Sequence, residues 1–189
     1  MNQVILIHGM PDKEDYFDPS FPRHTDAHWF PWINEQFKTK GISLIMPEMP
    51  EPYEPKYDLW KSFFGKYNIT EETILVGHSC GAGFLVRYFS EHPELKPKKI
   101  ILVAPWIDPE PSYLNTGFFE FEIDTSLTKR TDIIVFCSAD DEESCVRSAK
   151  IIEEKLPDAT YYRFANKGHF TEEDLGTKEF PELLEEVLK

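Results

Sequence analysis

Six short apolar runs rich in β-branched residues recur along the chain with helical stretches between them, and this alternation limits the folds open to it. The runs QVILIH (3–8), ISLIMP (42–47), TILVGH (73–78), KIILVA (99–104), DIIVFC (132–137) and TYYRFA (160–165) mostly lack the polar alternation of a strand with one wet face. That is the pattern of parallel strands buried on both faces. Helices are expected at about 28–40, 57–67, 80–91, 145–156 and 178–188. Thr25 or Asp26 is the expected cap of the first helix and Gly41 its stop. Gly81 and Gly83 sit in the tight start of the third, and Pro157 ends the fourth. Short joints between alternating elements predict an α/β fold of one domain over residues 1–189, a doubly wound, mostly parallel six-stranded sheet flanked by helices.

Two segments break the rhythm. Met10–Ala27 is polar, with Pro11, Pro19 and Pro22 before Arg23. Pro105–Lys129 carries Trp106, Tyr113, Phe118, Phe119 and Phe121, too many aromatics for disorder. Irregular segments this long in a compact domain are usually functional. Residues 105–128 are therefore expected to form a small lid-like segment that supplies much of an acyl pocket.

Charge narrows the partners. Asp and Glu number 34 against 20 Lys and Arg, a formal charge of −14, which repels a phosphate backbone and an anionic membrane surface alike. Neither nucleic acid nor membrane is expected as a partner. Cys80, Cys137 and Cys145 make neither an even disulfide framework nor a CxxC pair, which points to a reducing compartment. The opening MNQVILIHG has no basic n-region, and its apolar run is too short for a signal peptide or a membrane span. The cytoplasm is the expected location; oligomeric state is not legible.

The chemistry concentrates in ILVGHSCGAGF (74–84). Gly77-His78-Ser79-Cys80-Gly81 is a complete G-x-S-x-G between an expected strand and an expected helix, the setting that motif requires. Glycines two before and two after the serine permit a strained strand-to-helix turn that projects the hydroxyl at the carboxyl end of the sheet. Without supporting groups, the same residues would be only a tight turn with an incidental serine, or a site for Cys80 as nucleophile.

A serine hydroxyl needs a base to take its proton and an acid to orient that base. Asp140 and Asp141 follow the fifth expected strand and His169 follows the sixth, 28 positions after Asp141, room for one βα unit. The order Ser, Asp, His is that of α/β-hydrolases. Asp141 is preferred to Asp140 because it sits further into the loop. The oxyanion donors expected are the backbone N–H groups of Cys80 and Met10, since Pro11 has none to offer.

These residues resemble a family, the small serine hydrolases of the YdeN and retinoblastoma-binding-protein-9 type, a minimal α/β-hydrolase fold. The resemblance rests on VILIHG, HWFPWI (28–33), MPEMPEP, DLWKSFF, GHSCGA, SADD and KGHF, in matching order over almost the whole chain. It implies a triad of Ser79, Asp141 and His169. Members of that family tend to carry Val-Pro after the aspartates, where this chain reads EESCV, so Asp140 stays open as the acid. Met10–Ala27 is also longer than its counterpart there and is expected to cover part of the site. No L-x-C-x-E stretch occurs, so retinoblastoma-type partner binding is not implied.

Trp29, Phe30 and Trp32 are expected in the core, on a helix packed against the sheet. His24, Asp26 and His28 have alternate spacing but lack a clear third ligand, and neither metal nor cofactor is expected. The leading expectation is a serine hydrolase acting on carboxylic esters, amides or thioesters of small molecules through an acyl-enzyme. The alternative is a binding or regulatory protein that keeps the fold and turns over little.

Overall fold

The computed structural model describes residues 3–110, 114 and 116–189. Six strands form one sheet: β1 (Gln3–Ile7), β2 (Ser43–Ile45), β3 (Ile74–His78), β4 (Lys99–Val103), β5 (Asp132–Ser138) and β6 (Thr160–Phe164). Their spatial order is β2-β1-β3-β4-β5-β6, and every neighbouring pair is parallel. Register runs straight across the middle, with Ile5 opposite Leu75, Leu75 opposite Ile100 and Ile100 opposite Ile133.

Because side chains alternate along a strand, this register sends successive residues into two cores. Ile5, Ile7, Leu75, Ile100, Leu102, Ile133 and Val135 pack on one face, against α3 (Tyr57–Phe64), α4 (Cys80–Glu91) and α5 (Glu143–Lys155). Val4, Leu6, Val76, Ile101, Val103 and Phe136 pack on the other, against α2 (Phe30–Thr39) and α7 (Pro181–Leu188). Both faces are covered, which is why the central strands read as unbroken apolar runs. The edge strands β2 and β6 hold half-buried and exposed positions. On the second face Lys99 Nζ donates to the carboxylate of Glu186 at 2.9 Å and to its backbone carbonyl at 2.7 Å, fastening α7 to β4.

Helix starts differ from expectation at α2, at α5, which begins at Glu143 rather than 145, and at α7, which begins at Pro181 rather than 178. α2 begins at Phe30 with Trp29 as its N-cap residue and no side-chain cap, while His24–Asp26 forms a separate 3-10 turn, so Thr25 and Asp26 do not cap it. Pro31 near the helix start has no N–H to satisfy, which reduces the need for a cap. Gly41 does end this region, with φ of 68°. Two short helices were not expected, α1 (Lys13–Phe17) and α6 (Glu172–Leu175). No helix among the described residues is long and apolar enough to cross a membrane.

Part of the segment 105–128 packs inward. Trp106, Leu114 and Phe118 are buried in the core on the α3/α4 face, and Phe118 meets Trp60 edge-on with ring centroids 5.1 Å apart. Arg87 Nη1 holds the turn below, donating to the carbonyls of Gly117 and Phe118 at 2.7 and 2.6 Å. Tyr113 lies outside the described residues. Aromatic content set the expectation, but content does not say which surface the rings cover. Replacing the fully buried Phe118 by Ala is expected to cost about 3–5 kcal/mol, measured by denaturant unfolding, with acyl preference unchanged.

Candidate active site

The strand order reverses at β1: the chain leaves β1 toward β2 on one side, then crosses back to β3 on the other. In open parallel sheets the crevice at the carboxyl ends beside such a reversal is where ligands bind. Here those ends carry His8-Gly9-Met10 after β1 and His78-Ser79 in and after β3.

Ser79 occupies the turn between β3 and α4 with φ 55° and ψ −123°, a backbone conformation costing on the order of 1–3 kcal/mol. Surrounding bonds hold it there. Ser79 N–H donates to Val103 O at 2.9 Å, and Ser79 O accepts from the N–H groups of Ala82, Gly83 and Trp106 at 3.0, 3.1 and 3.2 Å. The flanking glycines are required by space. A Cβ on Gly77 would lie 2.5 Å from Ala82 Cα, and one on Gly81 would run into the carbonyls of Ile7 and His8. The Cys80 side chain is fully buried, and burial, reinforced by Asp108, pushes its thiol well above the usual range. It is therefore held as an unreactive thiol in the core.

The loops after β5 and β6 meet beside this turn. His169 Nδ1 and Asp141 Oδ1 are 2.8 Å apart, with the Asp141 side chain 3% exposed and that of His169 23% exposed. Asp140 does something else: its Oδ1 accepts from Ser138 Oγ at 2.6 Å and from Gly168 N–H at 2.9 Å, bracing the turn that presents His169. Asp174 braces it from the other side, accepting from His169 N–H at 2.8 Å while completing a capping box with Thr171. Burial pulls the His169 pKa down, but the hydrogen bond and charge of Asp141, with Glu142 and Asp174 behind it, outweigh that and raise it above the usual histidine value.

Four more histidines surround the site. His78 Nε2 lies 2.8 Å from His169 O, which can only accept, so Nε2 carries the hydrogen and fixes the backbone of His169. His8 Nε2 accepts from Met49 N–H at 2.9 Å, so its Nδ1 carries the hydrogen and donates to Gly9 O at 2.7 Å. With that carbonyl engaged, the Met10 N–H on the same trans peptide points the opposite way. Burial pulls His8 down to about 4, and burial is also the main cause that lowers His24, His28 and His78. All four are neutral near pH 7.

A cleft of about 810 Å³ opens over Ser79 and His169. Its walls come from the segment after β1 (Met10, Pro11, Asp12, Asp15, Phe21, His24, Asp26) and from α6 and its flanks (Thr171, Glu172, Glu173, Lys178). No described residue of 105–128 lines it. Met10–Ala27 thus covers part of the cleft. His24, Asp26 and His28 all face it without forming a ligand set; among the described residues, the grouping of three such side chains with ligand atoms within reach of one another is Asp141, Cys145 and His169. The bracing roles of Asp174, His8 and His78 escaped the sequence reading, although TEED after GHF carries a readable capping-box signal.

A wholly parallel six-stranded sheet, flanked by helices and carrying its serine on a strained strand-to-helix turn beside the strand-order reversal, is the α/β-hydrolase fold in minimal form. Residues 17–188 match the serine hydrolase family, and the chain belongs to that family. It is 28% identical over 181 residues to the YdeN protein of Bacillus subtilis (strain 168), covering 91% of this chain and 87% of that one. It is 26% identical over 165 residues to the serine hydrolase RBBP9 of Rattus norvegicus, covering 84% of each. The crystal structure of the B. subtilis ydeN product superposes with a TM-score of 0.81 at 25% identity, over 100% of this chain and 97% of that one. Est1E from Butyrivibrio proteoclasticus shares the fold at a TM-score of 0.64 and 11% identity, over 99% and 88%.

Proposed function

We propose that this chain hydrolyses carboxylic esters of small molecules, with Ser79 as nucleophile, His169 as general base and acid, and Asp141 as the group that orients the imidazole. One arrangement carries the reading: Ser79 at its strained turn shares a cleft with a histidine whose Nδ1 is 2.8 Å from a buried carboxylate. With Nδ1–H on Asp141, Nε2 is the nitrogen left to take the Ser79 proton as Oγ attacks the carbonyl carbon. The developing oxyanion accepts from the N–H groups of Cys80 and Met10, neither of which is bonded to an acceptor among the described residues. Collapse expels the alcohol, protonated by His169, and water then releases the acid by the same steps in reverse. Amides and thioesters would follow the same course.

The size of the cleft suits a small organic ester. Its walls carry Asp12, Asp15, Asp26, Glu172 and Glu173 against Lys178, which already pairs with Glu172 at 3.5 Å. Between two esters of equal size, one bearing a quaternary ammonium and one a carboxylate, kcat/KM is expected to favour the cation by about tenfold at low salt and by less as salt is added. Equal rates would show that these carboxylates do not face the bound substrate.

A fluorophosphonate probe tests the assignment, with the adduct mapped by mass spectrometry. Label on Ser79 supports it. Label on Cys80, or none on folded wild-type protein, overturns it, and the second result favours a binding protein that keeps the fold.

A further inference from the structure

A third group stands beside the Asp141–His169 pair and takes no part in the proposed hydrolysis. The Cys145 thiol, one turn along from Asp141 at the start of α5, is 4% exposed. Its Sγ, a carboxylate oxygen of Asp141 and a ring nitrogen of His169 all lie within 4.8 Å of one another. Cys145 is not disulfide-bonded.

We infer that Asp141, Cys145 and His169 form a binding site for a divalent zinc-like cation, and that occupying it switches the active site off; the second half rests on the hydrolase reading above. A thiolate, an imidazole and a carboxylate are the donor types that zinc takes together, and three protein ligands leave a fourth position for water. Zinc–ligand bonds of about 2.0–2.3 Å place tetrahedral ligand atoms roughly 3.3–3.8 Å apart. In the present structure His169 Nδ1 and Asp141 Oδ1 are 2.8 Å apart, and a ring nitrogen, a carboxylate oxygen and the sulfur all fall within 4.8 Å of one another, distances on either side of that range. Side-chain adjustments of the order of 1 Å close the gap. One thiolate and one carboxylate neutralise the dication, which suits a place where two of the three side chains are nearly fully buried. The partly exposed His169 ring gives the route in from the cleft.

The proton balance explains the inhibition. Zinc displaces the thiol proton to solvent and takes the Nδ1 position that Nδ1–H···Asp141 holds in the free protein. The imidazole proton then resides on Nε2. An imidazole coordinated at Nδ1 and protonated at Nε2 has no lone pair for the Ser79 proton, so the base is disabled while the fold is unchanged. Removing the cation with a chelator restores it: the thiolate takes a proton back from solvent and the imidazole proton returns to Nδ1 beside Asp141, with no change of oxidation state.

The reduced protein, titrated with cobalt(II) as an optical stand-in for zinc, provides the test. Wild type is expected to develop a thiolate-to-cobalt charge-transfer band in the near ultraviolet, saturating at one equivalent and erased by zinc. The band is expected to be absent from Cys145→Ala and weakened at least tenfold in apparent affinity in Asp141→Asn. In parallel, zinc is expected to suppress ester turnover of wild type reversibly. Cys145→Ala, compared with its own zinc-free rate, should need at least tenfold more zinc for the same loss. Circular dichroism identifies a variant that has failed to fold, in which case Cys145→Ser takes its place. No thiolate band in wild type, or equal zinc sensitivity in the folded Cys145 variant, overturns the inference; the second result would place inhibitory zinc on other groups, such as the cleft histidines. The band is read without substrate, so it stands or falls separately from the ester chemistry.

Discussion

Replacing Ser79 by alanine is expected to lower kcat for a short-chain activated ester by about 10⁶-fold and to abolish fluorophosphonate labelling, while the protein stays folded. The loss is large because removing the nucleophile leaves His169 and the oxyanion donors with nothing to act on. It is not a loss of structure: alanine inherits the same backbone at φ 55°, and the bonds that hold the turn run through main-chain atoms of residue 79. Ser79→Gly should be equally inactive yet more stable than Ser79→Ala by about 1 kcal/mol, since glycine adopts that conformation without strain. Urea unfolding of the two variants checks the sign. A Ser79→Ala protein retaining even a hundredth of wild-type turnover would refute the nucleophile assignment.

The second large effect separates two adjacent carboxylates. Asp141→Asn should cost about 10⁴-fold in kcat, because an amide in place of the carboxylate no longer stabilises the imidazolium or holds its tautomer. Asp140→Asn should cost less than tenfold, since Asp140 braces the Gly168 turn and does not touch the ring. The pH profile gives an independent reading. Catalysis needs neutral His169, so turnover falls as pH drops through its pKa, which Asp141 helps raise above the ordinary value. Without the Asp141 charge and hydrogen bond, burial dominates and the pKa drops, so the acid limb should move to lower pH in Asp141→Asn and stay in place in Asp140→Asn. Equal losses in the two variants, or a limb that moves in neither, would contradict the assignment.

That distinction marks how far the sequence could be read. The strands were legible because both sheet faces are covered, which leaves the central runs uniformly apolar; β2, on an edge, keeps only Ser43–Ile45 of the run 42–47. The G-x-S-x-G turn was legible because the geometry tolerates only glycine at 77 and 81. Helices α1 and α6, of five and four residues, are too short to display a helical period. Spacing could place Asp140 and Asp141 in one loop, but not say which carboxylate turns inward, since that depends on the path of β6 and the Gly168 turn. The packing of the aromatic segment 105–128 was illegible for a related reason. Aromatic richness reports how much surface a segment must bury, and here the partner is Trp60 and its neighbours on the α3/α4 face.

The wall built by residues 10–27 is one continuous stretch that contributes no strand to the sheet. It rests on the loop beyond β2 through light contacts: Lys13 to Glu54 at 3.9 Å, Tyr16 Oη to Glu48 at 3.4 Å, and the Tyr16 ring against Tyr53 at 4.9 Å between centroids. Insertions, deletions or grafts from Asp12 onward would reshape what the cleft accepts while leaving the Met10 N–H, Ser79 and His169 in place. On the proposed reading, the shape of the substrate and the chemistry done to it would rest on different stretches of one short chain, the first partly on Asp12–Ala27 and the second on the turns at Ser79, Asp141 and His169.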